Sequence, residues 1–178
     1  MAGRFYNILK NLPKDNKLIF DLDKTMWSCT VRPNMNLREI SKKINTDTFE
    51  ILKLLDKEGY SLNIASRSTE PEKCTYFIKN CFKGIQFDNI SIFPTKAYKI
   101  KHIQQCFKNE KPNKFIMFDD DKKILENLKY FYPNCITVHC DKPINFDTFH
   151  KISIPKRLNI DFKEPNYNLI NLDKYLKI

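Results

Sequence analysis

The sequence predicts an α/β fold, in which a mainly parallel sheet lies between two layers of helices. Short apolar runs of strand length alternate with amphipathic segments of helix length along most of the chain. Such regular alternation is typical of parallel strands joined by helical crossovers. The chain has 178 residues, of which 42% are hydrophobic, and this is enough for one domain with a full-sized core.

Five apolar runs are predicted strands. Each is short and bounded by polar or turn-forming residues, as strands of a buried sheet are. In chain order they are KLIF, YSLNIAS, ISIF, KFIMF and CITVH.

The segments between these strands have the features of helices. TDTFEILKLLDKEG places Phe49, Leu52 and Leu55 at three-residue spacing and ends at Gly59, a residue that favours helix termination. PEKCTYFIKNCF begins with Pro71, which suits a first helical turn. The other predicted helices are KAYKIKHIQQCF, DKKILENLKYF with Asp121 as its N-cap, and NFDTFHKI.

Charge and composition narrow the classes of partner. The chain carries 31 Lys and Arg against 21 Asp and Glu, a net charge of +10, which favours anionic partners such as phosphoesters, nucleic acid or acidic membrane surfaces. The lysines are spread along the chain rather than clustered, so a general compositional bias explains the charge equally well. There is no apolar run of about 18 residues, so no transmembrane helix is expected. The predicted partner is a phosphorylated substrate and not a membrane.

The cysteines and the N-terminal segment favour a cytoplasmic protein. The six cysteines form no C-x-x-C pair and match no zinc spacing. CITVHC is better explained as a strand of period two than as a metal site, and reduced thiols are the cytoplasmic default. The first residues lack the long apolar region of a secretory signal.

Polar and charged residues follow the predicted strands. In an open parallel sheet, ligands bind outside the carboxyl ends of the strands, so these residues are the predicted functional site. They are residues 21–25 after the first strand, Ser66 and Arg67 after the second, residues 95–99 after the third, and residues 119–121 after the fourth.

The residue types at these positions suit phosphoryl transfer. Asp21 can act as a nucleophile that forms an acyl-phosphate, and Asp23 can act as general acid and then base. Asp119 and Asp120 can complete the coordination of Mg²⁺, without which the crowded carboxylates would repel one another. The hydroxyl of Ser66 and a nearby lysine can bind the transferred phosphoryl group.

Three of these segments resemble the motifs of the haloacid dehalogenase superfamily of phosphohydrolases. FDLDKT resembles its first motif, D-x-D-x-T; IASRS resembles the second, and FDDD the fourth. FDLDKTMW and ASRSTEP are most similar to the magnesium-dependent phosphatase-1 family. The resemblance runs from about Leu18 to His139 and implies a Rossmann-like three-layer fold with a Mg²⁺ cofactor.

The resemblance implies a role for each matching residue of the first two motifs. Asp21 resembles the nucleophile, whose carboxylate is also a metal ligand. Asp23 resembles the general acid/base, with its backbone carbonyl on the metal. Thr25, Ser66 and Arg67 form the implied substrate- and phosphate-binding set: Thr25 orders the loop, Ser66 supplies a hydroxyl, and Arg67 faces the substrate.

The other two motifs leave alternatives. Asp119 and Asp120 resemble the acidic pair; Asp120 is the preferred direct ligand and Asp119 the partner of the lysine, although the two could be exchanged. The third-motif lysine is assigned to Lys99, which has His102 three residues later, with Lys96 as the alternative.

Structural explanations compete with some of these roles. Ser66 and Asp121 precede predicted helices and could serve as N-caps. Trp27 could be a core residue or an anchor of the loop. Two caps do not explain a pair of aspartates, Asp21 and Asp23, directly after an apolar strand.

The sequence also predicts the organisation of the chain and its reaction. Residues 1–150 are the predicted catalytic core and residues 151–178 a C-terminal extension packed on it. About 40 residues, Met26 to Ala65, separate the first two motifs, which leaves room for little or no cap and implies an open site. The family resemblance implies the activity of a phosphoric monoester hydrolase acting on phosphotyrosine in proteins or on sugar phosphates. The alternatives are a phosphatase of nucleic-acid ends and a non-catalytic phosphate-binding scaffold.

Overall fold

The computed structural model describes residues 12–108 and 111–150, together with Leu9 and Ile152. In these residues a parallel sheet is flanked by helices, which confirms the α/β prediction. The strands are β1 (Lys17–Phe20), β2 (Leu62–Ser66), β3 (Asn89–Ile92), β4 (Phe115–Asp119) and β5 (Ile136–His139). The helices are α1 (Leu37–Ser41), α2 (Thr46–Lys57), α3 (Pro71–Cys81), α4 (Ile100–Cys106), α5 (Lys122–Phe131) and α6 (Phe146–His150).

Strand β1 lies at the centre of the sheet. The strand order is β3-β2-β1-β4-β5, and every pairing within it is parallel. Leu18 lies opposite Leu62 on one side, and Phe20 lies opposite Phe118 on the other. The carboxyl ends of β1, β2 and β4 therefore adjoin, and the residues that follow these strands meet at one edge of the sheet.

Two hydrophobic cores lie on opposite faces of the sheet. Leu18 and Phe20 of β1 pack into the core that includes buried residues of α1, α2, α3 and α6, whereas Ile19 packs into the core with α4 and α5. This division follows from the period of two along a strand, which sends successive side chains to opposite faces. All residues of β2 and β4 are buried, as expected for strands covered on both faces. The predicted three-layer arrangement is thus confirmed.

Two helices differ from the sequence prediction. Helix α1 was not predicted, although its capping box is visible in the sequence: the side chain of Asn36 accepts from the backbone N–H of Glu39, and the side chain of Glu39 accepts from that of Asn36. The prediction that a helix begins at Lys96 is wrong. Helix α4 begins at Ile100 because Tyr98 and Lys99 have φ angles of 41° and 66°, which are left-handed and cannot continue a helix.

The segment between β1 and β2 forms no separate lid. It contains only α1 and α2, and the buried side chains of both helices, such as Ile40 and Leu52, belong to the same core as the sheet. This agrees with the expectation of a minimal cap.

The predicted C-terminal extension, residues 151–178, lies outside the described residues except for Ile152, and its packing on the core stays a prediction. Within the described parts of the chain, no helix combines the length and the hydrophobicity that crossing a membrane would require.

Candidate active site

A cavity of about 320 Å³ opens at the carboxyl edge of the sheet. The predicted site residues that line it are Asp21, Asp23, Ser66, Arg67, Lys99, Asp119 and Asp120. Thr25 is completely buried and Lys96 is exposed, and neither lines the cavity. The structure therefore brings Lys99, rather than Lys96, together with the carboxylates.

Lys99 bridges two carboxylates at the base of this cavity. Its Nζ lies 2.5 Å from Oδ1 of Asp21 and 2.7 Å from Oδ2 of Asp119, and all three side chains are at least nine-tenths buried. Burial opposes the charged form of Lys99, but the two carboxylates outweigh it and raise its pKa, so Lys99 is a cation. The pKa of Asp21 is raised to about 7, mainly by burial; Lys99 lowers it and the charge of Asp119 raises it.

The backbone before α4 places Lys99 in the site. Tyr98 and Lys99 are both left-handed, a conformation that is strained for residues with a side chain. One turn later the buried His102 stacks on Phe93, with ring centroids 3.9 Å apart, and its Nε2 donates to the carbonyl of Phe93 at 2.9 Å. Burial lowers the pKa of His102 to about 4, so the ring is neutral. His102 thus anchors the loop that presents Lys99.

Asp23 is held by the loop that follows β1. The buried indole of Trp27 donates from Nε1 to Oδ1 of Asp23 at 2.8 Å, and the backbone N–H of Val31 donates to the same oxygen at 3.3 Å. Burial raises the pKa of Asp23, while these two hydrogen bonds lower it. Trp27 is therefore both a core residue and the donor that orients Asp23.

Three carboxylates converge next to Lys99. One oxygen from each of Asp21, Asp119 and Asp120 lies within 4.8 Å of the other two. Both oxygens of Asp119 are engaged, Oδ2 with Lys99 and Oδ1 as acceptor from the backbone N–H of Asp121 at 2.9 Å. Asp120 lies at 3.7 Å from Lys24, and its pKa is raised by burial and by Asp119. These contacts favour Asp120 as the more available metal ligand.

The donor set fits Mg²⁺, which prefers hard carboxylate and carbonyl oxygens. With all side chains ionised, the residues lining the cavity carry an excess of two negative charges, which one divalent cation would neutralise. The acidic residues are Asp21, Asp23, Asp119, Asp120 and Asp121, and the basic ones are Lys24, Arg67 and Lys99. The side chain of Asp23 is turned to Trp27 rather than to the three converging carboxylates, so its predicted contact with the metal is through the backbone carbonyl.

The rim of the cavity includes residues that sequence reasoning did not select. Ser66 is buried and its Oγ accepts from the backbone N–H of Ser68 at 3.3 Å, while Arg67 lies 3.5 Å from Asp121. Asp121 also caps α5, as predicted, by accepting from the N–H of Lys123 at 2.9 Å. The residues not selected are Thr30, Val31, Ser68, Thr69 and Ile124, which had no distinguishing signal in the sequence. Lys24 lies inside the predicted segment 21–25, but sequence reasoning assigned it no role.

Addition of Mg²⁺ is expected to raise the melting temperature of the protein, because a cation that binds only the folded state stabilises it by mass action. At 100 times the dissociation constant the gain is about 2.7 kcal/mol, or roughly 5–10 °C for a domain of this size. Thermal melts with and without Mg²⁺, at equal ionic strength, measure it. Asp120→Asn should remove most of the shift, whereas Glu126→Gln on the exposed face of α5 should keep it. An equal shift in wild type and Asp120→Asn would contradict the assignment.

Comparisons with known proteins show a distant structural similarity and no sequence match. No protein-family model matches the chain, and no curated protein matches it. Among solved structures the chain is similar to the N-terminal part of a Bacteroides fragilis protein, described as containing a phosphatase domain and as complexed with Mg. The sequences are 17% identical and the TM-score is 0.48; the match covers 76% of this chain and 39% of that one. A similarity this distant assigns neither a family nor an activity.

Proposed function

We propose that the protein is a Mg²⁺-dependent phosphatase that hydrolyses phosphomonoesters through a covalent aspartyl-phosphate on Asp21. The observation that carries this proposal is the buried Asp21–Lys99–Asp119 cluster at the end of the central strand. A charged lysine held between two buried carboxylates is costly to bury. It is therefore better explained as catalytic machinery than as a stabilising feature of the fold.

In the first step Oδ2 of Asp21 attacks phosphorus while Lys99 holds Oδ1. The bond from phosphorus to the leaving oxygen breaks, and Asp23 donates a proton to that oxygen. In the second step Asp23 takes a proton from water, which attacks the same phosphorus. The bond between phosphorus and the Asp21 oxygen breaks, so inorganic phosphate leaves and the Asp21 carboxylate is restored.

The lining residues would also hold the metal and orient the substrate. Mg²⁺ would be held by Asp21, Asp120 and the backbone carbonyl of Asp23, while Asp119 fixes Lys99. The ion would supply positive charge that screens the phosphoryl oxygens from the attacking carboxylate. The Ser66 hydroxyl would donate to a phosphoryl oxygen, and Arg67, which lines the same cavity, would face the substrate. A volume of about 320 Å³ suits a phosphoryl group with the nearest part of its leaving group, such as phosphotyrosine or a sugar phosphate.

Turnover of small phosphoesters tests this function. Release of inorganic phosphate from p-nitrophenyl phosphate, phosphotyrosine and a sugar phosphate is expected with Mg²⁺, and EDTA should abolish it reversibly. Acid quenching during turnover should trap a phosphorylated protein, with the modification at Asp21 by mass spectrometry. Binding of phosphate without turnover of any of these esters would instead support a non-catalytic scaffold.

Trp27→Phe is expected to slow hydrolysis of esters with poor leaving groups more than that of esters with good ones. The phenyl ring preserves most of the packing but removes the N–H that orients Asp23, and a poor leaving oxygen depends most on proton donation. Values of kcat/KM for an alkyl phosphate and for p-nitrophenyl phosphate measure the difference, which we expect to be about tenfold, or about 1.4 kcal/mol. Equal losses on both esters would assign Trp27 to packing alone.

A further inference from the structure

A second cavity of about 760 Å³ adjoins the first one. It lies between the loop that leads into α1 and the first turns of α3, and Thr69 lines both cavities. We call it the α1–α3 groove; the lining residues that matter here are Met35, Leu37, Glu70, Glu72 and Tyr76. A leaving group larger than the first cavity would therefore extend past Thr69 into this groove.

The groove is preformed rather than a gap between independent segments. The ammonium group of Lys73 on α3 donates to the backbone carbonyls of Pro33 and Met35, which ties the loop before α1 to the helix. The positive charge of Lys73 is thus directed at these carbonyls. The positions of the two walls are fixed without a ligand, which lowers the entropic cost of binding.

The walls combine apolar surface with negative charge. Met35 and Leu37 are partly buried, and Tyr76, which also lines the groove, is 53% exposed. Glu70 and Glu72 lie at the beginning of α3 and, with Lys73 as the one basic residue among the described residues of the lining, give the groove a net charge of −1, although the chain as a whole carries +10. An exposed aromatic ring beside acids suits an apolar side chain followed or preceded by a basic one.

This chemistry discriminates among the classes of phosphoester. A sugar phosphate is small enough to end within the first cavity and would leave the groove empty. A nucleic acid would carry further phosphates along the groove, where Glu70 and Glu72 would repel them. A polypeptide, by contrast, can place an apolar and a basic side chain next to the phosphorylated residue.

We propose that the α1–α3 groove binds a polypeptide segment on one side of the phosphorylated residue and selects an apolar residue and a basic residue in that segment. This proposal rests on the proposed phosphatase function in one respect: the bound polypeptide is a substrate only if the protein hydrolyses it. Binding of a polypeptide in the groove can be measured without turnover. In this arrangement Tyr76 contacts the apolar residue and Glu72 the basic one.

Peptide binding tests the proposal independently of catalysis. The probe is a fluorescein-labelled peptide in which a non-hydrolysable phosphonate analogue replaces phosphotyrosine, flanked by Leu and Lys, and its affinity is measured by anisotropy with Mg²⁺ present. Competition with the free phosphonate amino acid measures how much the flanking residues add to the affinity. We expect the peptide to bind about tenfold more tightly than the free analogue. The same peptide with Asp in place of Lys should bind more weakly, and a 5′-phosphorylated oligonucleotide should compete less well than the peptide.

Two variants and two matched controls locate the effect. Tyr76→Ala should reduce the ratio of peptide affinity to free-analogue affinity about fivefold, and Glu72→Lys should reverse the preference between the Lys- and Asp-containing peptides. The controls lie on α5 and line neither cavity: Tyr130→Ala removes another exposed tyrosine ring, and Glu126→Lys reverses another exposed charge. Both controls should keep the wild-type ratio and preference.

The outcomes separate the groove from the catalytic proposal. The groove assignment would be overturned if the peptide and the free analogue bound with equal affinity, or if the oligonucleotide bound more tightly than the peptide. It would also be overturned if Tyr76→Ala kept the wild-type affinity ratio and Glu72→Lys kept the wild-type preference for the Lys-containing peptide. Turnover of phosphotyrosine without any peptide preference would refute the groove and leave the phosphatase standing. Peptide binding that depends on Tyr76 and Glu72, with no turnover of any ester, would support the groove and refute the phosphatase.

Discussion

Asp21→Asn is expected to reduce kcat for phosphoester hydrolysis to less than about one thousandth of the wild-type value, a loss of at least about 4 kcal/mol of transition-state stabilisation. The amide has nearly the shape of the carboxylate and can still bind Lys99, but its oxygen is a poor nucleophile and it carries no charge for a metal. The covalent intermediate cannot form, so acid quenching should trap no phosphorylated protein. Phosphate release and mass spectrometry of the quenched protein measure the two effects.

Asp47→Asn is the matched control for this change. Asp47 lies in the first turn of α2 and lines neither cavity, so the same chemical substitution there should leave turnover intact. Because Asn can deamidate back to Asp, residual activity in Asp21→Asn should be compared in freshly prepared and aged protein. Full activity in fresh Asp21→Asn protein would refute the aspartyl-phosphate mechanism.

Lys99→Met should abolish activity and also destabilise the protein. Methionine fills a similar volume, but it leaves the buried carboxylates of Asp21 and Asp119 facing each other without a cation. Removing one partner of a buried ion pair costs about 3 kcal/mol or more, which corresponds to roughly 6–12 °C in melting temperature for a domain of this size. Thermal melts in EDTA measure the stability, and phosphate release in Mg²⁺ measures the activity.

Two further variants make the result specific. Lys96→Met removes a lysine three residues away that is exposed and does not line the cavity, so it should change neither the melting temperature nor the activity appreciably. Adding Asp119→Asn to Lys99→Met should recover part of the lost stability, since it removes one of the two uncompensated charges. It should not recover activity. Equal effects of the Lys96 and Lys99 substitutions would contradict the role given to Lys99.

The strands and the position of the site could be predicted from the sequence because their causes are local. Apolar runs such as KLIF and KFIMF are short, and each is followed directly by an acid. This pattern is typical of a buried strand that leads into a ligand-binding loop. The structure has β1 and β4 at those runs, with Asp21 and Asp119 at their carboxyl ends. The helix ends were predicted less well, as the start of α4 shows.

The sequence did not fully predict which side chains contact each other within the site. The sequence left Lys96 and Lys99 as alternatives, because spacing along the chain does not reveal that the backbone turns left-handed at Tyr98 and Lys99. Likewise, the sequence could not distinguish packing from hydrogen bonding for Trp27. Its indole meets Asp23 only because the loop after β1 folds back on itself.

By itself, the sequence determined that this protein has an α/β fold with carboxylates directly after two of its strands, because strand periodicity and buried apolar runs act over a few residues at a time. Only the tertiary structure decided which lysine stands between Asp21 and Asp119, which donors hold Asp23, and that a groove between α1 and α3 adjoins the cavity. The donors to Asp23 lie only four and eight residues from it and reach it because the loop after β1 folds back on itself. The position of Lys99 and the groove depend on contacts between residues far apart in the chain. Such contacts are formed by the packing of helices on the sheet and by the loops that this packing brings together.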